Sequence, residues 1–306
     1  MKDVLKVTTV NFHAQWGQKE KNLQRMLGYI ESAAQEGSKL IVFPEMALTS
    51  YDDEPDKELE EKMQRKEAEV IPGPSTEAVA ELTKKYGVYV VFGMPERDAK
   101  DSTRVYNSAC VCGPSGIIGV YRKIHLPNPE MNWANRGEKP LIFDTEWGPM
   151  GVSICYDTYC FPELMRYYAA KGCRVHINCT AHARCHGNFL AKTSLEASVA
   201  INNIFIVTSN LVGMDLTNDF WGGSSVIGPG AGIMDAQYYM GYPFADPRGI
   251  TNEVYTGTID LGLATRDMFE PNPKVKNTTD YCPLVYKELM EDLLKDPKFC
   301  VKEFEE

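Results

Sequence analysis

The chain has 306 residues, 43% of them apolar, enough to bury a substantial core as one large domain or two modest ones. Acidic residues outnumber basic ones, 42 against 32, and no dense Lys/Arg cluster interrupts the resulting charge of -10, so nucleic acid is excluded as an expected partner. The start "MKDVLKVTTVNF" lacks a small-residue cleavage site, no apolar run is long enough to span a bilayer, and the nine cysteines suit reduced thiols better than a disulfide framework; the expectation is a soluble, cytoplasmic protein with no membrane partner.

In chain order, "LKVTTVNF" reads as a strand. "EKNLQRMLGYIESAAQEG" sets Leu23, Leu27, Ile30 and Ala34 at helical spacing and stops at Gly37, and "KLIVFPE" is a second strand. The charged stretch 52–69, "DDEPDKELEEKMQRKEAE", reads as a solvated loop and helix. A helix is expected near 75–86, then strands at "VYVVFGMPE", "VYNSACVCG" and "GIIGVYRKIHL", the last two joined at Gly113-Pro114-Ser115-Gly116. "PLIFDTEWGPMGVSICYD" predicts a hairpin around Trp147-Gly148-Pro149. A helix opens at Pro162, followed by the strand "RVHINCT", a helix near 188–202, the strand "IFIVTSNLVG", and a strand pair at "SSVIGPGAGIM" and "VYTGTID". The alternation predicts a layered α/β domain over 1–265, mixed sheets covered by helices. The Pro- and Lys-rich remainder, 266–306, reads as a tail with a helix at "PLVYKELMEDLLKD", packing on the domain or on a neighbouring subunit.

Three polar residues close apolar strands: Glu45 after "LIVFP", Lys123 in "GVYRKIHL" and Cys155 after "GVSI". Strand ends on one edge of a layered sheet converge in space, and a carboxylate, an ammonium and a thiol form a chemically sensible set. The carboxylate takes the thiol proton, and the cation favours the thiolate and faces the oxyanion formed on attack. Each also has a structural reading: Cys155 as a small buried hydrophobe, Glu45 as a cap or half an ion pair, "YRK" as surface charge.

Taken in order, the motifs "FPEMALTSY", "YRKIHLPNPE" and "SICYDTYCFPE", followed by "WGGSSVIGPGAGIM", resemble the nitrilase superfamily of carbon-nitrogen hydrolases. The resemblance implies a four-layer α-β-β-α sandwich that pairs through an exposed face into α-β-β-α-α-β-β-α homodimers or larger homo-oligomers. It implies Cys155 as nucleophile, Glu45 as general base and acid, Lys123 and the Tyr156 N–H as oxyanion donors, and Glu130, seven residues past Lys123, as a second glutamate that positions the substrate. Tyr51 is a candidate pocket residue, Asp157 is expected to hold the turn, and Cys160 matches no catalytic position.

The implied activity is hydrolysis of a small linear amide through a cysteine thioester, without metal or organic cofactor. N-carbamoyl hydrolysis is the alternative; nitrile hydrolysis and a non-catalytic scaffold rank below it. "CYD" resembles amidases and carbamoyl hydrolases rather than nitrilases, which carry Cys-Trp-Glu. D-amino-acid carbamoylases share "RKIHLP" but place an arginine pair where this chain has Thr158-Tyr159, and the frequent "GHS" is Gly222-Gly223-Ser224 here. Arg184 is a candidate partner for a substrate carboxylate or half of a surface ion pair. The run Cys173, His176, Cys179, His182, Cys185, His186 invites a zinc reading, but alternation along "CRVHINC" sends its side chains to opposite faces, so no metal is expected.

Overall fold

A computed structural model describes residues 1–274, 276 and 278–299. The chain divides into two compact units, Met1–Thr265 and the segment from Arg266 onward. The first unit opens with β1 (Val4–Val10), α1 (Lys19–Gln35), β2 (Leu40–Val42), α2 (Met63–Glu67) and α3 (Pro74–Tyr86). Strands β3 (Tyr89–Arg97), β4 (Val105–Gly113), β5 (Gly116–Arg122), β6 (Leu141–Thr145) and β7 (Gly148–Ile154) follow. Next come α4 (Tyr156–Cys160), α5 (Pro162–Ala170), β8 (Val175–Thr180), α6 (Phe189–Asn202) and β9 (Phe205–Asn210). The short ribbon β10 (Val212–Met214) and β11 (Asp219–Trp221), then β12 (Ser225–Pro229), β13 (Ala236–Gly241) and β14 (Val254–Asp260), complete it. The second unit holds α7 (Pro283–Leu293), where a helix was predicted.

Two six-stranded sheets form, with orders β14-β1-β2-β3-β4-β5 and β13-β12-β9-β8-β7-β6. Both are mixed: β1, β2 and β3 run parallel, as do β7, β8 and β9, and antiparallel strands complete the edges. Alternation along each inner strand explains the layering. Leu40 and Val42 of β2, Val91 of β3 and Val111 of β4 join Val152, Ile177 and Val207 between the sheets. Their neighbours Ile41, Val90, Phe92 and Cys110 face the other way, onto Met26, Ile30 and Ala33 of α1 and Val79 and Ala80 of α3. A strand buried on both faces needs a continuous apolar run, and those runs are what made the strands visible in the sequence. With α5 and α6 against the second sheet, the architecture is the expected α-β-β-α sandwich.

Local signals end the elements where the sequence suggests. Pro74 and Pro162 occupy first-turn positions of α3 and α5, and Gly87 ends α3 in the left-handed region. Three expectations need correction. Thr145 pairs with Gly148, so the hairpin turns on Glu146-Trp147 while Gly148 and Pro149 begin β7. "SSVIGPGAGIM" and "VYTGTID" are not partners: β12 pairs with β9 and with β13, whose half-buried "AQYYMG" gave little periodic signal, and β14 pairs with β1 in the other sheet.

The third correction concerns the charged stretch 52–69, which is not simply solvated. Asp52, Glu54, Lys62, Gln64 and Arg65 are buried. Glu54 pairs with Lys57 at 2.5 Å and accepts from the Met63 N–H at 2.6 Å, while Lys62 donates to the carbonyls of Asp53 and Glu54 at 2.6 and 2.8 Å. Mutual satisfaction lets a run of charge leave water, which no single-residue hydropathy reports.

The α5 layer lies close on β7 at Gly151, where a Cβ would stand 2.5 Å from the Tyr168 ring. Gly151→Ala is expected to lower unfolding free energy by about 1–3 kcal/mol, read as a fall in urea midpoint at unchanged m-value.

Candidate active site

Glu45, Lys123 and Cys155 each lie just beyond the C-terminal end of a strand, β2, β5 and β7 respectively. Lys123 follows β5 directly, its N–H donating to Asn107 O at 2.8 Å and its carbonyl accepting from the Gly137 N–H at 2.7 Å. Glu45 stands three residues past β2, on a turn pressed against β3. A Cβ on Gly93 would come within 2.4 Å of Met46 N and 2.5 Å of Glu45 Cα, so only glycine permits that approach. Cys155 is the corner between β7 and α4, with φ 48° and ψ -102°, a conformation that costs a non-glycine residue of order 1–3 kcal/mol. Its N–H donates to Cys179 O and Asn178 Oδ1, both at 3.0 Å, which holds the strained corner in place.

The Lys123, Glu45 and Glu130 side chains meet in a buried cluster. Lys123, fully buried, donates from Nζ to Glu45 Oε1 at 2.8 Å and to Glu130 Oε1. Asn107 Nδ2 bridges the two carboxylates, 2.7 Å from Glu45 Oε1 and 3.0 Å from Glu130 Oε2. Glu45 Oε2 accepts from the Ala181 N–H at 2.7 Å, and Tyr51 OH donates to Glu130 Oε1 at 2.6 Å. The ammonium is thus flanked by two acids, and each acid has at least two donors.

Charge and burial set the protonation states. Burial alone would neutralise Lys123, but Glu130 and Glu45 beside it hold its pKa well above the ordinary lysine value. Burial, reinforced by the charge of Glu45 and opposed by Lys123, raises the Glu130 carboxyl to about 7. Cys155 is partly exposed at its cleft, yet burial of the thiol and then the charge of Glu45 push its pKa far up, while Lys123 and a hydrogen bond with Thr180 pull it back. The resting group is a neutral thiol electrostatically coupled to Glu45, Lys123 and Glu130.

Of the remaining residues singled out by sequence, Tyr156 is the first residue of α4. Arg184 sits on the 3-10 turn Arg184–His186, with Nε 2.8 Å from Asp219 Oδ2 and its guanidinium 4.5 Å over the Trp221 ring. These are contacts with its own chain and not with the Lys123 cluster. Asp157 does more than hold its own turn: it accepts from Tyr121, Ile124 and His125 across the interior. In the Cys/His run, His176 Nε2 meets Ser153 Oγ at 2.9 Å, His182 Nε2 meets Gly187 O at 2.7 Å, Cys173 and Cys179 are buried and Cys185 is exposed. Burial lowers these histidines to about 3 and about 4, and among the described residues no group of three or more His, Cys, Asp or Glu side chains is placed to hold a metal ion. Phe244 packs against Gly223, the position where the family pattern has histidine.

Sequence reasoning missed Asn107, Asn178, Thr180 and the Ala181 N–H. Asn107 left a trace, as the one side-chain amide in the otherwise strand-like "VYNSACVCG". The other three lie within β8 or directly after it, where polarity on one face reads as ordinary strand alternation.

The family model for carbon-nitrogen hydrolases matches residues 6–238. The chain is 32% identical to a nitrilase of Pyrococcus abyssi over 76% of its length and 84% of the relative's. It is 33% identical to an omega-amidase of Danio rerio over 69% of this chain and 76% of the relative. The crystal structure of Nit3 from Saccharomyces cerevisiae, a member of branch 10 of the nitrilase superfamily, superposes with a TM-score of 0.73 at 25% identity, covering 86% of this chain and 92% of that one. The chain belongs to the carbon-nitrogen hydrolase family of the nitrilase superfamily.

Because Gly93 admits the Glu45 turn, Gly93→Ala is expected to displace that carboxylate and cut kcat/KM for an amide by at least about tenfold, with circular dichroism showing the fold retained.

Proposed function

We propose that the protein is a thiol amidohydrolase acting on a small linear amide, with Cys155, Glu45, Lys123 and Glu130 as its working groups. The observation that carries this reading is the buried Lys123 ammonium held between Glu45 and Glu130, coupled to a thiol at a strained strand end. Relatives named omega-amidases favour an amide as substrate, and those named nitrilases make nitriles the necessary comparison. No helix among the described residues is long and apolar enough to cross a membrane.

In this reading Cys155 Sγ attacks the carbonyl carbon as its proton passes to Glu45, so thiolate is generated only in the act of bonding. A thiol with a raised pKa needs such coupling. Lys123 Nζ and the Tyr156 N–H receive the charge on the carbonyl oxygen. Glu45 returns the proton to the nitrogen, ammonia or amine departs, and a thioester remains. Water then gives a proton to Glu45 and attacks the acyl carbon, releasing the acid as the proton returns to sulfur. Glu130 and Tyr51 hold Lys123 and border the cleft.

Ammonia release screened over amides, N-carbamoyl compounds and nitriles is expected to be greatest with amides. Cys155→Ala is expected to lower turnover at least about a thousandfold and to abolish the burst of released ammonia, and a fully active variant would overturn the assignment. For Glu130, protonated below about pH 7, ionisation adds negative charge beside Glu45 and strengthens it as a base. kcat/KM is therefore expected to climb through a limb near pH 7 that Glu130→Gln removes.

A further inference from the structure

The two halves of the cluster ride on different sheets. Lys123 follows β5 of the first sheet and Cys155 follows β7 of the second, and the surface between these sheets is mainly Val, Leu, Ile and aromatic side chains. Dispersion and hydrophobic burial favour contact but have little directional preference, so they do not fix the sub-ångström register that an attacking sulfur and an oxyanion donor require. Hydrogen bonds across the gap do.

One buried carboxylate makes four of them. Asp157, two residues after Cys155 and fully buried, accepts at Oδ2 from Tyr121 OH at 2.7 Å and the Ile124 N–H at 3.2 Å. Its Oδ1 accepts from the His125 N–H at 2.8 Å and from His125 Nδ1 at 2.7 Å, so the carboxylate fixes the Nδ1-protonated ring. The donors come from residues 121, 124 and 125, on both sides of Lys123. The His125 ring then stacks on Phe161 at 3.4 Å and 6°, and Phe161 stands edge-on to Tyr156 at 5.3 Å, binding the same segment to α4 a second time.

We propose that Asp157 is a positioning residue that sets the distance and angle between the Lys123 ammonium and the Cys155 thiol by clamping the 121–125 segment to the Cys155 corner. The proposal rests on the amidohydrolase reading above. A residue of merely structural value would alter how much enzyme folds; this one alters what each folded molecule does.

The test is Asp157→Asn, which keeps the shape but turns an amide N–H₂ toward donors. Turnover is normalised to the Cys155 thiol titrated by iodoacetamide and read at the Cys155 peptide, so that the exposed Cys185 and Cys282 are not counted, and the pH profile of Cys155 alkylation is followed. Expected are a loss of about 10- to 100-fold in kcat per titrated thiol, a KM changed less than about threefold, and an altered alkylation profile. Tyr121→Phe, which removes one donor and keeps the ring, is expected to show a smaller loss of the same kind and serves if Asp157→Asn does not fold. His125→Phe, which keeps the stack and deletes the Nδ1 donor, should combine with Asp157→Asn less than additively. Wild-type kcat per titrated thiol in Asp157→Asn, or in Tyr121→Phe where that variant stands in, would overturn the clamp. If instead Cys155→Ala remains active, the amidohydrolase reading itself fails and the clamp with it, so the two failures are distinguishable.

Discussion

A lysine ammonium removed from water survives only if its charge is answered, and in this protein Lys123 is answered twice, by Glu45 and by Glu130. Much of the surrounding structure follows from that requirement. Two carboxylates brought beside one cation leave net negative charge, which Asn107 moderates by donating to both, the Ala181 N–H by donating to the outer oxygen of Glu45, and the Tyr51 OH by donating to the Glu130 oxygen that also faces Lys123. Burial, with the charge of Glu45 added, lifts the Glu130 carboxyl toward neutrality and presses the Cys155 thiol to stay protonated. Buried charge is a poor source of stability but a good source of fixed geometry, and here it fixes the distance between an acid, an amine and a carboxamide on three separate segments.

The sandwich supplies the place for this cluster. Parallel strands present their C-terminal ends on one edge, and the face-to-face packing of two such sheets puts a second set of ends opposite the first. Neither sheet alone carries the constellation: Glu45, Asn107 and Lys123 follow the first, while Cys155, Asn178, Thr180 and Ala181 follow the second. Strain at the Cys155 corner is tolerated because the backbone N–H at that corner has two acceptors on β8.

The readability of the sequence tracked how local each determinant is. Strands β3, β4 and β8 are buried on both faces and stood out as runs, while β13, half-buried at a sheet edge, lacked any run and was missed. Glu45, Lys123 and Cys155 were legible because a single charged or reactive residue interrupts an apolar strand end, and because their motifs occur in family order. Glu130 was legible only by its spacing from Lys123. Asn107 and the Ala181 N–H act through partners more than sixty residues away, and no local pattern encodes such a meeting. The interpretation of 52–69 as solvent-facing failed for a related reason: Asp52 is satisfied by Thr217, 165 residues away, and Glu54 by Lys57 and the Met63 N–H within the stretch itself.

That buried ionic stretch has a practical side. Tyr51, which steadies Glu130, enters directly from it, and the carboxylate of Asp215 on the β10–β11 ribbon caps the Asp52 N–H at 2.9 Å. Charge-swapping this acidic segment to tune solubility, the natural choice for anyone who sees only its composition, would strip partners from buried charges beside Tyr51. Engineering of surface charge belongs elsewhere on this molecule.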